Sequence, residues 1–434
     1  MGKFLKYNSG WLAILFLAIL PVIRWAFLLP LNSRFFDLGM TATSFGQVAG
    51  LLGMTLFAIN LILSSRLKIL DRYYLGLSNV YKYHARLGAL SFSLLLFHPL
   101  FLVVTYIQIS LRSAALFLLP SGNLAVTYGI IALLLMIILM VLTFYIKLKY
   151  HHWKISHKFM VVVFVFAILH ILLIASDISR DNFLRVYILS LAVLGLVAGF
   201  YRAFLSKYWN DSLTYNIIKI TWLSDQVAEI ELKPKNKKLD FSAGQFAFFR
   251  FFSENLSSEG HPFSLASAPG EGNLKIMIKA LGDYTAKLNN LRVGDYVAVD
   301  GPFGRFSYKH ISNQNQIWLA GGIGITPFLS MARDLKNSDY KIDLYYCTNN
   351  IQEAVLLDEL TGLKLINNNL RIISWCSSDQ GRITSQKIVE LSHSLEDKDI
   401  MLCGPDIFMA GLRQQFLALH VSDRRIHWEQ FKFL

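Results

Sequence analysis

Four histidines recur at regular spacing in two apolar segments of the chain. His84 and His98 lie 14 residues apart, and His157 and His170 lie 13 residues apart. Two neutral imidazoles that face each other are a suitable axial ligand set for haem iron, and such a centre passes single electrons. A zinc site fits less well, because each facing pair offers two ligands where four are usual. A proton relay and a purely structural role are the alternatives.

The segments that hold these histidines are long enough to cross a membrane. Of the 434 residues, 54% are apolar and 16% are charged, and the apolar residues are concentrated before about residue 206. Several runs approach the roughly 20 residues that a helix needs to cross a bilayer. The sequence therefore predicts a bundle of six spans, at residues 11–30, 42–64, 80–104, 124–147, 155–175 and 183–204.

Lysine and arginine predict the orientation of these spans, since both accumulate in cytoplasmic loops. They precede the first span, follow the sixth, and lie between the second and third and between the fourth and fifth. Both termini are therefore expected in the cytoplasm, in a multi-pass protein of a bacterial inner membrane. Much of the net charge of +13 is assigned to the membrane surface. No interleaved basic and aromatic pattern indicates a nucleic-acid partner.

This orientation makes the third and fifth spans run from the cytoplasm outward. His84 is then level with His157, and His98 with His170, about 20 Å further along at a rise of ~1.5 Å per residue. The fifth span raises a difficulty, because thirteen residues at ~100° each leave His170 about 140° away from His157 on an ideal helix. We expect residues 157–170 to depart from ideal winding, or the two haems to be approached from different sides.

Two further features of the membrane half allow more than one interpretation. Arg24 lies in the outer part of the first span, where its side chain either snorkels to the interface or meets a haem propionate or an anionic acceptor. His151 and His152 fall in the basic loop KLKYHHWKISHK, where a solvated position is favoured over metal ligation.

Beyond residue 217 the pattern changes to short β-rich segments separated by turns. The segments IIKITWL, VAEIELK, QFAFFRF, LKIMIKA and YVAVDGPF read as strands of an antiparallel barrel or sandwich. From Gln316 strands alternate with helical patterns, which is typical of a parallel α/β sheet. The sequence thus predicts three domains, at residues 1–206, 207–309 and 310–434.

Two motifs in the predicted barrel could bind a flavin nucleotide. In EGHPFSLAS, Phe263 offers a flat face and Ser264 a hydroxyl, although the segment could also be no more than a strand ending in a turn. In IKALGDYT, the residues Lys279, Gly282 and Thr285 are suited to contact a pyrophosphate.

The last domain carries a glycine-rich turn between a strand and a helix, in LAGGIGITPF. Gly321, Gly322 and Gly324 let the backbone approach a dinucleotide pyrophosphate, and the helix N-terminus favours negative charge. In MLCGPDIFM, Cys403 is either a small buried residue or lies over a nicotinamide, and the glycine turn favours the second interpretation. None of the three cysteines has metal-ligand spacing, so neither a disulfide framework nor a zinc site is predicted.

The adenosine end of the dinucleotide is expected near residues 348–350. No acid follows this strand directly, and the absence of a partner for a ribose hydroxyl favours a 2′-phosphate, hence NADPH over NADH. Thr348 lies at this end, and Arg382 in QGRIT is a candidate partner for the phosphate.

These motifs occur in an order typical of one family. The chain resembles the NADPH oxidase and ferric reductase superfamily over nearly its whole length, and its compact layout resembles prokaryotic NADPH oxidases. The motifs are the two histidine pairs, HPFS at 261–264, GPFG at 301–304, GGIGITP at 321–327, CGP at 403–405 and WEQF at 428–431. The resemblance implies a six-helix transmembrane haem-binding bundle followed by a ferredoxin-reductase-like β-barrel FAD domain and an α/β nucleotide-binding domain.

The resemblance also implies roles for individual residues. The FAD contacts would be His261, Pro262, Phe263, Ser264, Lys279, Gly282 and Thr285. The nicotinamide dinucleotide would be held by Gly321, Gly322, Gly324, Thr326, Pro327, Gly404 and Pro405, with Cys403 near the reactive ring. Glu429 and Phe431 match the family's ending, so Phe431 would stack on the flavin until nicotinamide displaces it. Phe433 is a rival for that position.

By the same resemblance the chain is expected to be an NAD(P)H oxidase. Cytosolic NAD(P)H would reduce FAD, which would pass single electrons to an inner haem b and then to an outer haem b. The acceptor outside would be molecular oxygen, giving superoxide. A ferric chelate or an external redox protein is the alternative acceptor. No EF-hand loop or regulatory domain is visible in the sequence, so activity without a regulatory subunit is expected.

Overall fold

The computed structural model describes residues 2–74, 76–146, 148, 150–205, 213–253, 256, 259–282, 284–335 and 339–429. They divide into two compact units, one on either side of residue 209. The first unit is helical, and the second is built from two β-sheets with flanking helices.

The helices of the first unit include six stretches that are long and apolar enough to cross a membrane. The helices are α1 (Gly2–Leu28), α2 (Leu31–Arg34), α3 (Leu38–Ser64), α4 (Lys68–Tyr73), α5 (Leu77–Ile107), α6 (Leu111–Phe117), α7 (Leu124–Phe144), α8 (Tyr150–Lys158), α9 (Met160–Leu173), α10 (Asp177–Arg180) and α11 (Asn182–Phe200). A π-helical turn, Tyr201–Leu205, extends α11. The six apolar stretches are Ser9–Leu28, Leu38–Ser64, Leu77–Ile107, Leu124–Phe144, His152–Leu173 and Asn182–Leu205. The prediction of six spans is confirmed.

Helix α3 forms the centre of this bundle. In its most apolar window 67% of the residues are buried, against 33% or less in the other five stretches. Three glycines of α3, Gly46, Gly50 and Gly53, lie against α5, where a Cβ added to any of them would come within 3.0 Å of a side chain of that helix. Small residues at such an interface let two helix backbones approach closely. The approach matters because α5 carries two of the four histidines.

The fifth apolar stretch is broken between its two histidines. Helix α8 ends at Lys158 and α9 begins at Met160, with Phe159 in a turn between them. His157 and His170 therefore lie on either side of an irregularity at Phe159, whose own φ and ψ of −66° and −9° stay in the α-helical region. The predicted departure from ideal winding is confirmed.

The second unit begins with a six-stranded antiparallel sheet. Its strands are β1 (Leu213–Ser224), β2 (Val227–Pro234), β3 (Phe246–Phe252), β4 (His261–Ser264), β5 (Leu274–Lys279) and β6 (Tyr296–Phe303), in the order β4-β3-β6-β1-β2-β5. The inward-facing residues of these strands form one apolar core that includes Phe249, Phe251 and Val299. The predicted antiparallel arrangement is confirmed.

A five-stranded parallel sheet follows, as the alternating pattern predicted. Its strands are β7 (Asn315–Gly321), β8 (Lys341–Thr348), β9 (Leu370–Cys376), β10 (Asp399–Cys403) and β11 (Ile426–Trp428), in the order β11-β10-β7-β8-β9. The accompanying helices are α12 (Thr326–Asp334), α13 (Leu357–Ile366), α14 (Ser377–Gln380), α15 (Ser385–Ser392) and α16 (Asp406–Ala418). The carboxyl ends of β7, β8 and β10 meet at one edge of the sheet, where open α/β sheets bind ligands.

Arg333 of α12 joins the two sheets of this unit. Its guanidinium donates to the carbonyl of Ala266 at 2.9 Å and pairs with Glu229 on β2 at 3.3 Å. On its other side it pairs with Glu359 on α13 at 2.6 Å. The Arg333 side chain is only 11% exposed, and its three contacts join the antiparallel sheet to the helices of the parallel sheet.

Candidate functional site

The four histidines of the bundle face each other in two pairs. The ring centroids of His84 and His157 are 6.0 Å apart, and those of His98 and His170 are 6.3 Å apart. In both pairs the ring planes are inclined at 72°. The predicted orientation of the spans paired His84 with His157 and His98 with His170, and the structure brings these same partners together.

Three of these imidazoles are held by a hydrogen bond to the backbone of a neighbouring helix. The Nδ1 atom of His84 lies 3.1 Å from the carbonyl oxygen of Asn60, and that of His98 lies 2.7 Å from the carbonyl of Gly46. Nδ1 of His170 lies 2.7 Å from the carbonyl of Ala125. Because a carbonyl can only accept, Nδ1 must carry the proton in each case. Nε2 is then the unprotonated nitrogen, with its lone pair available to a metal.

Two glycines leave room for the outer pair of rings. A Cβ at Gly50 would lie 2.9 Å from Nδ1 of His98, and one at Gly129 would lie 2.9 Å from Nδ1 of His170. Sequence reasoning missed these residues, and Asn60 and Gly46 as well. For Gly46 and Gly50 the run GQVAGLLG in α3 was an available signal, because its small residues recur at helical spacing.

The donor set of each pair suits a planar metal complex. Each pair would offer two imidazole nitrogens to such a complex, whose other ligands it would bring itself. Among the residues that the structure describes, no group of three or more histidine, cysteine or acidic side chains could hold a bare metal ion. His152 is exposed and takes no part in either pair.

Arg24 has a partner that the sequence did not predict. Its guanidinium makes two hydrogen bonds to the carboxylate of Asp181, at 2.6 and 3.2 Å. Asp181 also caps the N-terminus of α11 by accepting from the backbone N–H of Leu184 at 2.8 Å. The hydrogen bonds from Arg24 hold the pKa of the Asp181 carboxyl below its usual value. The structure therefore gives Arg24 a partner in Asp181, just before α11, and both interpretations of its role stay predictions.

A second ion pair lies beside the first. Arg34 is 4% exposed, pairs with Asp177 at 3.1 Å and donates to the carbonyl of Trp25 at 2.8 Å. Its guanidinium also stacks 3.9 Å above the indole ring of Trp25. Together the two pairs fasten the segment between α9 and α11 to the first two helices.

The HPFS motif forms strand β4, paired with β3 at the edge of the barrel sheet. Phe263 is partly buried and packs against Phe249 and Phe251, with ring centroids 6.0 and 6.3 Å away. Pro262 pairs with Phe248, and Ser264, which is buried, pairs with Phe246. The motif is therefore built into the sheet with its backbone fixed by strand pairing.

His261 stacks on a residue that sequence reasoning missed. The ring centroids of His261 and Tyr284 are 3.6 Å apart and their planes differ by 20°. Burial is the main cause that raises the pKa of the Tyr284 hydroxyl well above its usual value, with Glu259 adding to it. Tyr284 belongs to the segment IKALGDYT, in which only Lys279, Gly282 and Thr285 were predicted to contact a cofactor.

The residues expected to contact a pyrophosphate lie close to this stacked pair in sequence. Thr285 closes its own turn, because its Oγ1 accepts from the backbone N–H groups of Leu281 and Gly282, each at 2.9 Å. Lys279 ends β5, and its Nζ lies 3.9 Å from a carboxylate oxygen of Glu353. The structure therefore gives both side chains partners within the protein.

The two glycine turns of the nucleotide-binding sheet pack backbone against backbone. Strands β7 and β10 are neighbours, with Ala320 opposite Cys403. A Cβ at Gly324 would lie 2.4 Å from the carbonyl oxygen of Cys403, and one at Gly404 would lie 3.0 Å from the backbone of Gly321. The motifs GGIG and CGP thus meet at the carboxyl edge of the sheet.

The helix that follows this turn begins with the predicted residues. Thr326 is buried and its hydroxyl donates to the carbonyl of Ile323 at 2.8 Å. Pro327 stands in the first turn of α12, where its missing N–H is no loss. Gly322 has a φ of +54°, a conformation that favours glycine. Pro405 lies beside Gly321, where a Cβ would come within 3.0 Å of its ring.

Cys403 and Glu429 lie together at the end of β10. The Cys403 side chain is 2% exposed, and burial, followed by the charge of Glu429, raises the pKa of its thiol far above the usual range. Glu429 is also buried, and a Cβ at Gly304 would lie 3.1 Å from its Oε2 atom. The carboxylate therefore lies between the CGP turn and the GPFG turn of the barrel. Phe431 and Phe433 lie outside the described residues.

No acid directly follows β8, and the first acid after this strand is Glu353. The 3₁₀ turn Ile351–Glu353 brings the carboxylate of Glu353 to within 3.3 Å of the Asn349 side-chain nitrogen. The hydroxyl of Thr348 donates to the carbonyl of Asn350 at 2.8 Å. Arg382 is exposed and follows Gly381 at the same edge of the sheet. The preference for NADPH therefore stays a prediction, and Arg382 stays a candidate partner for the 2′-phosphate.

Three family models match the chain in one continuous order. "Ferric reductase like transmembrane component" matches residues 49–168, which include three of the four histidines. "FAD-binding domain" matches residues 212–307, and "Oxidoreductase NAD-binding domain" matches residues 318–414.

Similar proteins share different parts of the chain. Ferric reduction oxidase 7, chloroplastic, of Arabidopsis thaliana is 27% identical over 340 residues, which are 73% of this chain and 43% of that protein. The ferredoxin reductase component of 3-ketosteroid-9-alpha-monooxygenase of Mycobacterium tuberculosis is 28% identical over 210 residues, 47% of this chain and 58% of that protein. The chain spans less than two thirds of the length of either relative.

Among solved structures, the FAD/NAD-binding domain of nitric oxide dioxygenase from Vibrio cholerae is 27% identical. The match covers 50% of this chain and 98% of that domain, with a TM-score of 0.45.

Proposed function

Because the chain belongs to the superfamily of NADPH oxidases and ferric reductases, we propose that it moves electrons across a membrane from NAD(P)H to an acceptor on the other side. The proposed route is FAD, an inner haem b at His84 and His157, and an outer haem b at His98 and His170. The acceptor in this proposal is molecular oxygen and the product is superoxide. The single observation that carries the proposal is the facing of two histidine pairs at 6.0 and 6.3 Å.

The residues of each pair fit a haem iron. A metal–imidazole bond is about 2 Å long and a ring centroid lies roughly 1 Å beyond its nitrogen, so two imidazoles that held one metal ion between them would have centroids about 6 Å apart. Three of the four rings also donate Nδ1–H to a backbone carbonyl, which fixes the ligating tautomer. Haem, when bound, accepts one electron at a time, and FAD converts the two electrons of a hydride into single electrons.

The second unit would orient the nicotinamide dinucleotide for hydride transfer. The GGIG turn exposes backbone N–H groups at the start of α12, which suits a pyrophosphate. Buried Cys403 stays a neutral thiol and presents an apolar surface at the end of β10. Glu429, next to it, can accept a hydrogen bond from the nicotinamide amide. Lys279 could contact a flavin pyrophosphate by leaving its long ion pair with Glu353.

The proposed orientation follows the distribution of basic residues. We place both termini and the second unit in the cytoplasm of a bacterium, where NADPH is supplied, and the outer histidine pair towards the opposite side. NADPH is the proposed donor because no acid stands at residues 348–350 and Arg382 is a candidate partner for the 2′-phosphate, and NADH is the alternative.

Oxygen is the proposed acceptor because it is small and uncharged. The ion pairs Arg24–Asp181 and Arg34–Asp177 join the segment before α11 to α1 and α2. If His98 and His170 both held a haem iron, the acceptor would receive its electron without binding the metal. A small molecule can approach such a centre more easily than a bulky chelate.

A ferric chelate is the second candidate acceptor. It is favoured by the Arabidopsis relative, which is named for ferric reduction and aligns with both units of this chain. The two candidates make different demands on the outer end of the bundle, since a chelate needs an open surface there.

The purified protein with FAD and haem tests both proposals. On addition of NADPH, a low-spin b-type haem signal in the reduced-minus-oxidised spectrum is expected. Dye reduction that superoxide dismutase abolishes would support oxygen, whereas reduction of a ferric chelate without oxygen would support the ferric reductase. Slow reduction of both acceptors would point to an external redox protein. Absence of the haem signal would contradict the proposed route as a whole.

A further inference from the structure

His157 differs from the other three histidines of the bundle in how its ring is held. His84, His98 and His170 each donate Nδ1–H to a backbone carbonyl. Nδ1 of His157 is buried, and it has no hydrogen-bond partner among the described residues. One ring in four therefore lacks the bond that fixes the orientation of the others.

An aromatic side chain lies against His157 instead. Trp153 precedes it by one helical turn on α8, and residues four apart share one face of a helix. The two rings are stacked, with centroids 5.2 Å apart and planes that differ by 19°. Another edge of the imidazole faces His84. Rotation of the His157 ring about its Cβ–Cγ bond would drive it into the indole.

His157 lies close to the irregularity at Phe159. Because α8 ends at Lys158, His157 sits in the last turn of a nine-residue helix rather than within a long rigid span. His170, by comparison, lies within α9 and is bonded to α7 through the carbonyl of Ala125. A ligand near a helix end, without a second-shell hydrogen bond, needs another means of holding its plane.

We propose that Trp153 is the positioning residue of the inner histidine pair. Its indole plane sets the orientation of the His157 imidazole in the way that a hydrogen bond sets the other three. An indole is suited to this, since it is large and flat and has only two side-chain torsions to restrain. The inference rests on the proposed function in so far as it concerns haem ligation.

The test uses full-length protein loaded with haem, with the variants Trp153→Phe and Trp153→Leu. The electron paramagnetic resonance signal of a low-spin ferric haem depends on the relative orientation of its two axial imidazole planes. Trp153→Leu should shift or broaden this signal for one of the two centres and change the midpoint potential of that centre only. Trp153→Phe retains a flat face and should leave both signals close to those of the native protein.

Trp11→Leu serves as the matched control. Trp11 is another tryptophan of the bundle, and it packs on Tyr83, 4.6 Å away, rather than on a histidine. This variant should leave both haem signals unchanged. If Trp153→Leu does not accumulate, Trp153→Met replaces it, because methionine fills much of the space without a flat face.

The outcomes separate this inference from the proposed function. If the native protein shows no low-spin haem, the proposed function fails. If it shows two centres and the leucine or methionine variant leaves both spectra and potentials as they were, the positioning role of Trp153 is overturned and the proposed function stands. Equal shifts in the phenylalanine and leucine variants would also contradict it, since a flat ring would then make no difference.

Discussion

His98 and His170 face each other across the bundle, and each ring is fixed from behind by a backbone carbonyl at 2.7 Å. The carbonyl that receives His98 belongs to Gly46 on α3, and the one that receives His170 belongs to Ala125 on α7. Two helices that carry none of the four histidines thus set the ring planes of His98 on α5 and His170 on α9. The outer pair is consequently more rigidly held than the inner pair, in which only His84 has such a bond.

Removal of His170 should affect only the proposed haem site at His98 and His170. We expect His170→Ala to lose about half of the bound haem, because the inner pair still offers two axial ligands. Electron transfer to any external acceptor should stop, while NADPH should still reduce the flavin. Haem-to-protein ratio and the visible spectrum measure the result. His152→Ala, an exposed histidine, is the control and should keep both haems. Full haem content in His170→Ala would contradict the ligand assignment.

A methyl group at Gly50 should disturb the outer centre without removing a ligand. Its Cβ would lie 2.9 Å from Nδ1 of His98, so the ring must move away from the Gly46 carbonyl. Loss of such an outer-shell bond typically lowers metal affinity by ~10- to 100-fold. Haem retention during dilution measures the effect in Gly50→Ala. The matched control is Gly122→Ala, because nothing lies within 4 Å of that position. Equal haem retention in both variants would rule the mechanism out.

Arg333 should stabilise the second unit and the alignment of its two sheets. Arg333→Met leaves the carboxylates of Glu229 and Glu359 without their cation, and the loss of charged hydrogen bonds should lower the free energy of unfolding by ~2 kcal/mol. Flavin reduction by NADPH should also slow, since barrel and nucleotide-binding sheet lose their link. Thermal unfolding followed by flavin fluorescence and stopped-flow absorbance provide the measurements.

The control for Arg333 is a surface pair in the same unit. Lys387 and Glu390 lie three residues apart on α15 with side chains 44% and 62% exposed. Lys387→Met should therefore change the free energy of unfolding by at most about 0.5 kcal/mol. A similar loss in both variants would show that Arg333 contributes no more than an exposed pair.

Cys403 should remain a neutral thiol across the working pH range. Burial and the nearby Glu429 charge raise its pKa, so the folded state binds this proton more tightly than the unfolded state does. The corresponding stabilisation is complete below the unfolded pKa of about 8.5 and is lost as the pH rises above it. In a Cys347→Ala, Cys376→Ala background, alkylation by iodoacetamide should stay slow up to pH ~10. An alkylation rate that rises with a midpoint near pH 8.5 would contradict this.

Arg382 should distinguish the two nicotinamide dinucleotides if it binds the 2′-phosphate. Arg382→Ala should raise KM for NADPH by about tenfold, the worth of one charged hydrogen bond, and leave KM for NADH unchanged. Steady-state flavin reduction with each donor measures the ratio. Lys364→Ala, which removes an exposed cation from α13, is the control. An unchanged preference for NADPH over NADH would contradict the role of Arg382. Glu353, whose carboxylate lies close to Asn349 after β8, would then be the next residue to test.

Local patterns were enough for much of this fold. The lengths and composition of the apolar runs predicted six spans, and strand and turn signals predicted an antiparallel sheet followed by a parallel one. The histidine spacing predicted which rings would face each other. A departure from ideal winding between His157 and His170 was one of two outcomes that the sequence predicted, because thirteen residues cannot return to one face of an ideal helix. These features depend on residues that are close together in the chain.

Only the tertiary structure decided the partners of individual side chains. Arg24 pairs with Asp181, 157 residues later, and His84 and His98 are bonded to carbonyls of α3, neither of which any local pattern indicates. Glu353 reaches the end of β8 through a short turn that composition does not reveal. A charged side chain or a backbone carbonyl can pair with any neighbour of suitable chemistry. Which partner it has therefore depends on which helices and strands pack together. The sequence by itself determined the four histidines and their order in the spans, and packing determined what holds their rings in place.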